Sequence, residues 1–193
     1  MNVLDLFSGC GGISLGFKLA GFKIKGGVDI DPNSVKAFQK NFLKSKAICE
    51  NLLEYNDDKI LEDFGNQEIL VCNTHLDHVY ETTREQQISV LIDQLQLVNK
   101  SNLPIILMGD FNEGPNGKVR SQINSKLPNL IDPWDAVESG SHHKFDGNNK
   151  NSLRIDWILI DKIFKKEKIY LEQSHENNIY PSDHFPVKCI LNF

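Results

Sequence analysis

Apolar positions along the chain change their period several times, and each change marks an element. Residues 2–7, NVLDLF, are a short apolar run that ends in the glycine-rich turn SGCGG. The next ten residues, ISLGFKLAGF, carry apolar side chains at helical spacing, and KIKGGVDID is a second strand ending on acids. DPNSVKAFQKNF opens with Asp31 as N-cap and Pro32 at the first helical position, both favourable at a helix start. Strand, turn, helix, strand, helix is the entry to an open parallel sheet. Residues 45–65 are polar; a short strand near Ala47 and Ile48 and a helix over 59–64 are expected there.

A second pattern begins near Gln67. EILVCNTH reads as a strand, and TTREQQISVLIDQLQLVNK as an amphipathic helix with Ile88, Leu91, Ile92, Leu95 and Val98 on one face. Thr82 or Thr83 is the expected cap, with Glu85 in the first turn. LPIILMGDFN is a buried strand with a polar end, and GKVRSQINSKL a short helix. LRIDWILI, KIYLEQS and FPVKCILNF are strands, with the long polar loop SGSHHKFDGNNKNS before them. A boundary is expected at the seam over residues 64–68.

The 193 residues suit one domain or two small ones, and 40% hydrophobic with 24% charged residues is ordinary globular composition. A net charge of −5 argues against tight nonspecific binding to duplex nucleic acid, which favours a basic excess. It leaves a phosphodiester substrate open, because a bound cation supplies local positive charge. Cys10, Cys49, Cys72 and Cys189 form no CxxC pair; Cys72 and Cys189 sit in apolar runs and read as buried. The cysteine usage points to a reduced, cytoplasmic protein. No signal peptide is expected from MNVLDLF, and no apolar run is long enough to cross a membrane.

The first candidate chemistry lies in the glycine turn. A glycine-rich loop between strand and helix lets backbone approach a ligand, and an acid after the next strand can bind ribose hydroxyls. DLFSGCGGISLGFKLAGF followed by VDIDPNSVKAFQKNF closely resembles the opening of DNA cytosine-5 methyltransferases, over about residues 2–53. The resemblance implies S-adenosylmethionine as cofactor, held by Phe7, Gly9, Gly11 and Gly12, with Asp29 at the ribose and Ile30 near the adenine. That family's catalytic cysteine follows a proline, and no Pro-Cys pair occurs in this sequence; its Glu-Asn-Val motif is absent as well. Attack on cytosine needs a thiolate, so methyl transfer by this chain alone is not expected.

The second candidate chemistry lies at the ends of the later strands: His75, Asp110, Asn112, Asp156, Asp183 and His184 each follow or adjoin an apolar run. Carboxylates, imidazoles and an amide converging at strand ends suit metal-assisted phosphoester hydrolysis. NTH, GDFN, RIDWIL and SDH, in this order, resemble the endonuclease/exonuclease/phosphatase superfamily, with its DNase I-like fold, over about residues 67–193. The resemblance implies His75, Asp110, Asn112, Asp156 and His184 as catalytic residues, Asp183 as a metal ligand, and Mg²⁺ or Mn²⁺ as cofactor. His143 matches a less constant position, whereas His78, His142 and His175 read as surface or loop residues. The first half of that fold, which supplies an Asn and a Glu metal ligand, has no matching string here.

These readings give an α/β fold class: a Rossmann-like βαβα N-terminal segment packed on half of a DNase I-like sandwich. The expected domains are an incomplete cytosine-5 methyltransferase-like segment, 1–65, and an incomplete phosphoesterase-like half, 66–193. The expected function is a metal-dependent phosphoesterase acting on a phosphoester substrate, nucleic acid among the candidates, with its site completed by the N-terminal part, a homodimer or another chain. The alternatives are an S-adenosylmethionine-binding methyltransferase fragment or an inactive hybrid. Because a half sandwich leaves one sheet face bare, either Leu4, Leu6, Phe17 or Val28 should contact strands around Leu70, Ile106 and Ile158, or a dimer interface should cover that face.

Overall fold

The computed structural model describes residues 2–51, 63, 69–100, 102–134 and 139–192. The expected helix over 59–64 and the seam over 64–68 fall outside the described residues, apart from Asp63, which is helical. The chain forms two compact units, Met1–Thr74 with Val90–Leu107, and His75–Ser89 with Met108–Phe193.

The first unit begins β1 (Asn2–Leu6), α1 (Gly12–Leu19), β2 (Lys23–Asp29), α2 (Pro32–Asn41) and β3 (Lys46–Cys49). It adds β4 (Leu70–His75), the later part of α3 (Glu81–Val98) and the start of β5 (Ile105–Asp110). Its strand order is β3-β2-β1-β4-β5. β1 lies parallel to both β2 and β4, and β2 parallel to β3. This is the doubly wound order, whose direction reverses between β1 and β4. Val3, Leu4, Asp5 and Leu6 are all buried, as expected of a parallel strand covered on both faces. Leu4 pairs with Leu70 and Leu6 with Cys72, so the N-terminal segment meets β4 edge to edge, through the backbone ladder.

Local chemistry explains these elements. The Asp31 carboxylate accepts from the amides of Asn33 (3.3 Å) and Ser34 (2.9 Å), and Pro32 occupies the first helical position, so the predicted start of α2 is observed. Ile88, Leu91, Ile92, Leu95 and Val98 on α3 are all buried, as their spacing required. The expected Thr cap of α3 is corrected. The helix starts at Glu81, which places Thr82 and Thr83 inside it, and Asp77 accepts from the amides of Val79 (2.8 Å) and Tyr80 (2.6 Å) just ahead of it. Those two bonds hold the exposed Asp77 carboxyl below its usual range.

The second unit contains the start of α3, the end of β5, α4 (Lys118–Lys126), β6 (Leu130–Ile131), β7 (Asp156–Asp161), β8 (Lys165–Leu171) and β9 (Val187–Asn192). β7 lies between β5 and β6, and β8 pairs with β9 as an antiparallel two-stranded sheet. Its core includes Phe111 stacked on Trp157, ring centroids 4.3 Å apart. Arg120 and Arg154 both donate to Asp132 Oδ2, at 2.9 and 2.7 Å, and the Arg120 guanidinium lies 4.2 Å from the Trp157 ring. α4 starts at a glycine, but the Glu113 carboxylate accepts from Lys118 N (3.0 Å) and Val119 N (2.7 Å) and caps it from outside. The class is mixed α/β with a mostly parallel sheet, in agreement with the sequence. None of the described helices is long and apolar enough to cross a membrane.

Candidate cofactor loop and carboxylate–histidine cluster

In the first unit the turn after β1 is built by backbone constraint. Phe7, Gly9 and Gly11 have φ of 63°, 52° and 92°, a region that favours glycine. Gly11 N donates to Ser8 O (2.9 Å), Ser8 N to Val28 O (3.0 Å), and the Asn41 side chain to Cys10 O (2.8 Å). These bonds tie the turn to β2 and α2. A Cβ on Gly11 would lie 2.3 Å from a Phe42 ring carbon, so this glycine makes room for packing. Cβ atoms on Gly9 or Gly12 would meet nothing within 4 Å, so these two leave open space above the backbone.

Asp29 ends β2 beside this turn. Its Oδ2 accepts from Gly9 N (2.8 Å) and its Oδ1 from Asp31 N (2.9 Å), leaving a lone pair on each oxygen for a ligand hydroxyl. Ile30 and Phe7 are exposed apolar side chains at the rim. α1 has no side-chain N-cap bond; the buried Ser14 amide donates to Asp5, so Gly12 and Ile13 are the first-turn amides left to face a ligand. Beneath the loop, Asp5 is buried and accepts from the Ser14 hydroxyl at 2.7 Å; burial pushes its carboxyl up to about 6. The six residues assigned to a cofactor thus surround one turn at the carboxyl end of β1, next to the reversal in strand order.

In the second unit His75, Asp110, Asn112, Asp156, Asp183 and His184 gather at strand ends. His184 Nδ1 lies 2.7 Å from Asp156 Oδ2, and His75 Nε2 3.4 Å from Asp110 Oδ2. Ligand atoms of Asp110, Asp156 and His184 lie within 4.8 Å of one another. Burial opposes charge on His184, but the Asp156 hydrogen bond and the charges of Asp156, Asp110 and Asp183 outweigh it and raise the imidazole pKa. Burial raises the Asp110 carboxyl, with Asp156 adding to the shift. Asn112 spends its side-chain N–H on Leu76 O (2.9 Å), which makes it a tie between two loops. His143 is buried, with Phe185 stacked at 3.9 Å, and serves the core.

His142, read from sequence as a loop residue, is placed differently. Its Nε2 lies 3.6 Å from Asp183 Oδ2 and its ring centroid 4.8 Å from that of His184. Only an antiparallel bridge between His142 and His184, 42 residues apart in the chain, makes this visible. The Arg120–Asp132–Arg154 cluster was also missed; no local pattern pairs those residues.

The model of the C-5 cytosine-specific DNA methylase family matches residues 1–72. The chain is 42% identical over 57 residues to the type II methyltransferase M.XorII of Xanthomonas oryzae pv. oryzae, covering 30% of this chain and 13% of that protein. It therefore spans a small part of such a relative's length. Among solved structures, S. pombe Dnmt2 methyltransferase aligns over 87% of this chain and 51% of its own, with TM-score 0.56 and 20% identity, a likeness of fold. The mannosyl-6-phosphatase Bt3783 of Bacteroides thetaiotaomicron VPI-5482 aligns over 63% of this chain and 50% of its own, with TM-score 0.54 and 28% identity.

These findings correct the expected function. The metal-dependent phosphoesterase, a Mg²⁺-dependent hydrolase, is overturned in favour of the alternative, a cytosine-5 methyltransferase fragment. The family match continues past residue 53 and takes in β4, a strand assigned from sequence to the hydrolase half. Strand order gives the physical reason, since β4 is the neighbour β1 needs to complete the doubly wound sheet. The chemistry of the cluster points the same way. Mg²⁺ favours oxygen ligands in near-octahedral array, whereas the cluster that includes Asp183 offers two imidazoles and one carboxylate. The other group, Asp110, Asp156 and His184, offers two carboxylates, one of which, Asp156, is already hydrogen-bonded to His184.

Proposed function

We propose that the chain is the S-adenosylmethionine-binding part of a DNA cytosine-5 methylase, matched through residue 72 and joined beyond it to a segment resembling the endonuclease/exonuclease/phosphatase fold. The single observation that carries this reading is the turn between β1 and α1, with open space over Gly9 and Gly12 and Asp29 beside it. The amides of Gly12 and Ile13 at the start of α1 and the exposed rim of Phe7 and Ile30 would receive the two ends of the cofactor, and Asp29 its ribose. When bound, the cofactor would present an activated methyl group.

The chain's own part is binding. No Pro-Cys pair supplies a nucleophile, and burial pushes the thiols of Cys72 and Cys189 up to about 12 and about 11, far from thiolate at neutral pH. Transfer to cytosine would need a thiolate from elsewhere. Calorimetry with S-adenosylmethionine and S-adenosylhomocysteine tests the reading. One saturable site is expected, with affinity lowered about 10- to 100-fold in Asp29→Ala, the worth of a hydrogen bond to a charged group. Absence of saturable heat, or equal affinity in Asp29→Ala, would refute it.

A further inference from the structure

We propose that the end of the first sheet opposite the cofactor loop is a contact surface for the phosphate backbone of duplex DNA, made by Lys18, Lys23, Lys25, Lys40 and Lys44. The lysine surface itself stands on charge and topology. Only the choice of DNA over RNA rests on the methylase reading.

The net charge of −5 is unevenly spread along the chain. No acid occurs between Asp5 and Asp29 or between Asp31 and Glu50, and those two stretches carry seven lysines. In a parallel sheet each strand starts, and each returning helix ends, at the same end. Lys18 lies in the last turn of α1 and Lys40 in the last turn of α2. Lys23 opens β2, with Lys25 two residues on, and Lys46 opens β3, with Lys44 in the turn before it. Gly9, Gly12 and Asp29 stand at the other end, so this surface is not the one that faces the cofactor. Lys18, Lys23, Lys40 and Lys44 are exposed and Lys25 is half-buried. Among the described residues, Asp63 forms an ion pair with Lys46, which takes that lysine out of the count.

A lysine at a helix C-terminus can serve the helix alone, by facing the negative end of its dipole. That accounts for Lys18 and Lys40, but not for Lys23, Lys25 and Lys44, which lie on a strand and in a turn. The surface is also held in place. The Ser45 hydroxyl donates to Ile24 O (2.8 Å) and the Gln39 side chain to Ser45 O (3.0 Å), so the turn carrying Lys44 is tied to both β2 and α2. Lys18 Nζ lies 5.6 Å from the ring of Phe42, beside the same turn. Ammonium groups meet phosphate as point charges and read no base. A single strand would call for exposed rings on which bases stack, but at this end Phe17 and Phe22 are half-buried against each other at 5.3 Å, and Phe42 is buried. Leu19 and Leu43 stand exposed beside the lysines; two side chains on separate turns make no continuous apolar face of the kind that enters a membrane interface. A duplex backbone, with one charge per about 1.7 Å of axis, asks only for positive charge on a firm surface.

The test follows fluorescence anisotropy of a short labelled DNA duplex of mixed sequence with the full chain, between about 50 and 200 mM salt. The logarithm of affinity against the logarithm of salt should have a slope between about −3 and −4.5, for roughly three to five phosphates. Lys23→Gln, Lys40→Gln and Lys44→Gln together should flatten that slope by about 2 to 3. Lys165→Gln with Lys168→Gln, in the second unit, should leave it unchanged. Thermal unfolding verifies that each variant is folded. If the triple variant does not fold, acetylation of the unaltered chain decides, since the duplex should shield Lys23, Lys40 and Lys44 and leave Lys165 and Lys168 reactive. No saturable binding, an unchanged slope in the folded triple variant, shielding confined to other lysines, or tighter binding to anionic vesicles or to duplex RNA would each overturn the proposal. Heat with S-adenosylmethionine, measured on the same preparation, tests the cofactor reading separately, so either can fail while the other stands.

Discussion

Two glycines two residues apart, Gly9 and Gly11, should fail in different ways when given a methyl group. At Gly11 the added Cβ meets the Phe42 ring at 2.3 Å and the Phe38 ring at 3.0 Å, in a backbone of φ 92°. Both rings are buried and lie tilted against each other with centroids 4.7 Å apart, so neither can swing into solvent freely. Left-handed strain costs about 1–2 kcal/mol and overpacking about 1–3 kcal/mol. Gly11→Ala should therefore lose on the order of 3 kcal/mol. At Gly9 the φ is 52° and the Cβ meets nothing within 4 Å, so Gly9→Ala should lose only about 1 kcal/mol from strain. Its cost should fall on binding instead, because the methyl fills the space a cofactor must enter. Urea unfolding with an unchanged m-value, paired with calorimetry against S-adenosylmethionine, separates the two effects. If Gly11→Ala is as stable as the parent, or Gly9→Ala loses as much stability as Gly11→Ala, the reasoning from the loop's packing is wrong.

Other consequences can be measured. Asp5 ionises at about 6 in the fold against 3.8 in an unfolded chain, because burial disfavours its charge. The fold thus binds the extra proton, and stability is highest below pH 4 for this group and falls as pH rises through 6. The loss amounts to about 3 kcal/mol by neutral pH; Asp5→Asn should flatten that fall in pH-dependent urea midpoints. Asp132→Ala removes the carboxylate shared by Arg120 and Arg154 and should cost about 3 kcal/mol or more in thermal or chemical unfolding. Exposed Cys10 and Cys49 should react with iodoacetamide in the native state while Cys72 stays unmodified, as intact-mass timing would show.

What the sequence made legible was local. Asp31 followed by Pro32 announces a helix start because capping acts over three residues. The stripe from Ile88 to Val98 announces a buried face because helical spacing alone makes it. What it hid was lateral. Strand order is carried by backbone groups common to every residue, so nothing in EILVCNTH says that β1 will be its neighbour. β6, two residues long, has too few positions to show a period. His142 looked like loop because its partner stands 42 residues away, and Thr82 and Thr83 do not cap because the helix already begins at Glu81, with Asp77 holding the turn ahead of it.

The ladder between β1 and β4 has one more consequence. Its hydrogen bonds link amide to carbonyl and take no notice of side chains beyond their need to be small and apolar enough to be covered. The edge of β1 that β4 covers would accept any strand of suitable length and direction that brings its own helix. A chain can therefore change ancestry at this edge and keep its bonding pattern intact. Such an edge behaves as a standard coupling, and fragments ending at it should find one another in trans: residues 1–51 and 66–193, made separately and mixed, should regain the thermal transition of the uncut chain.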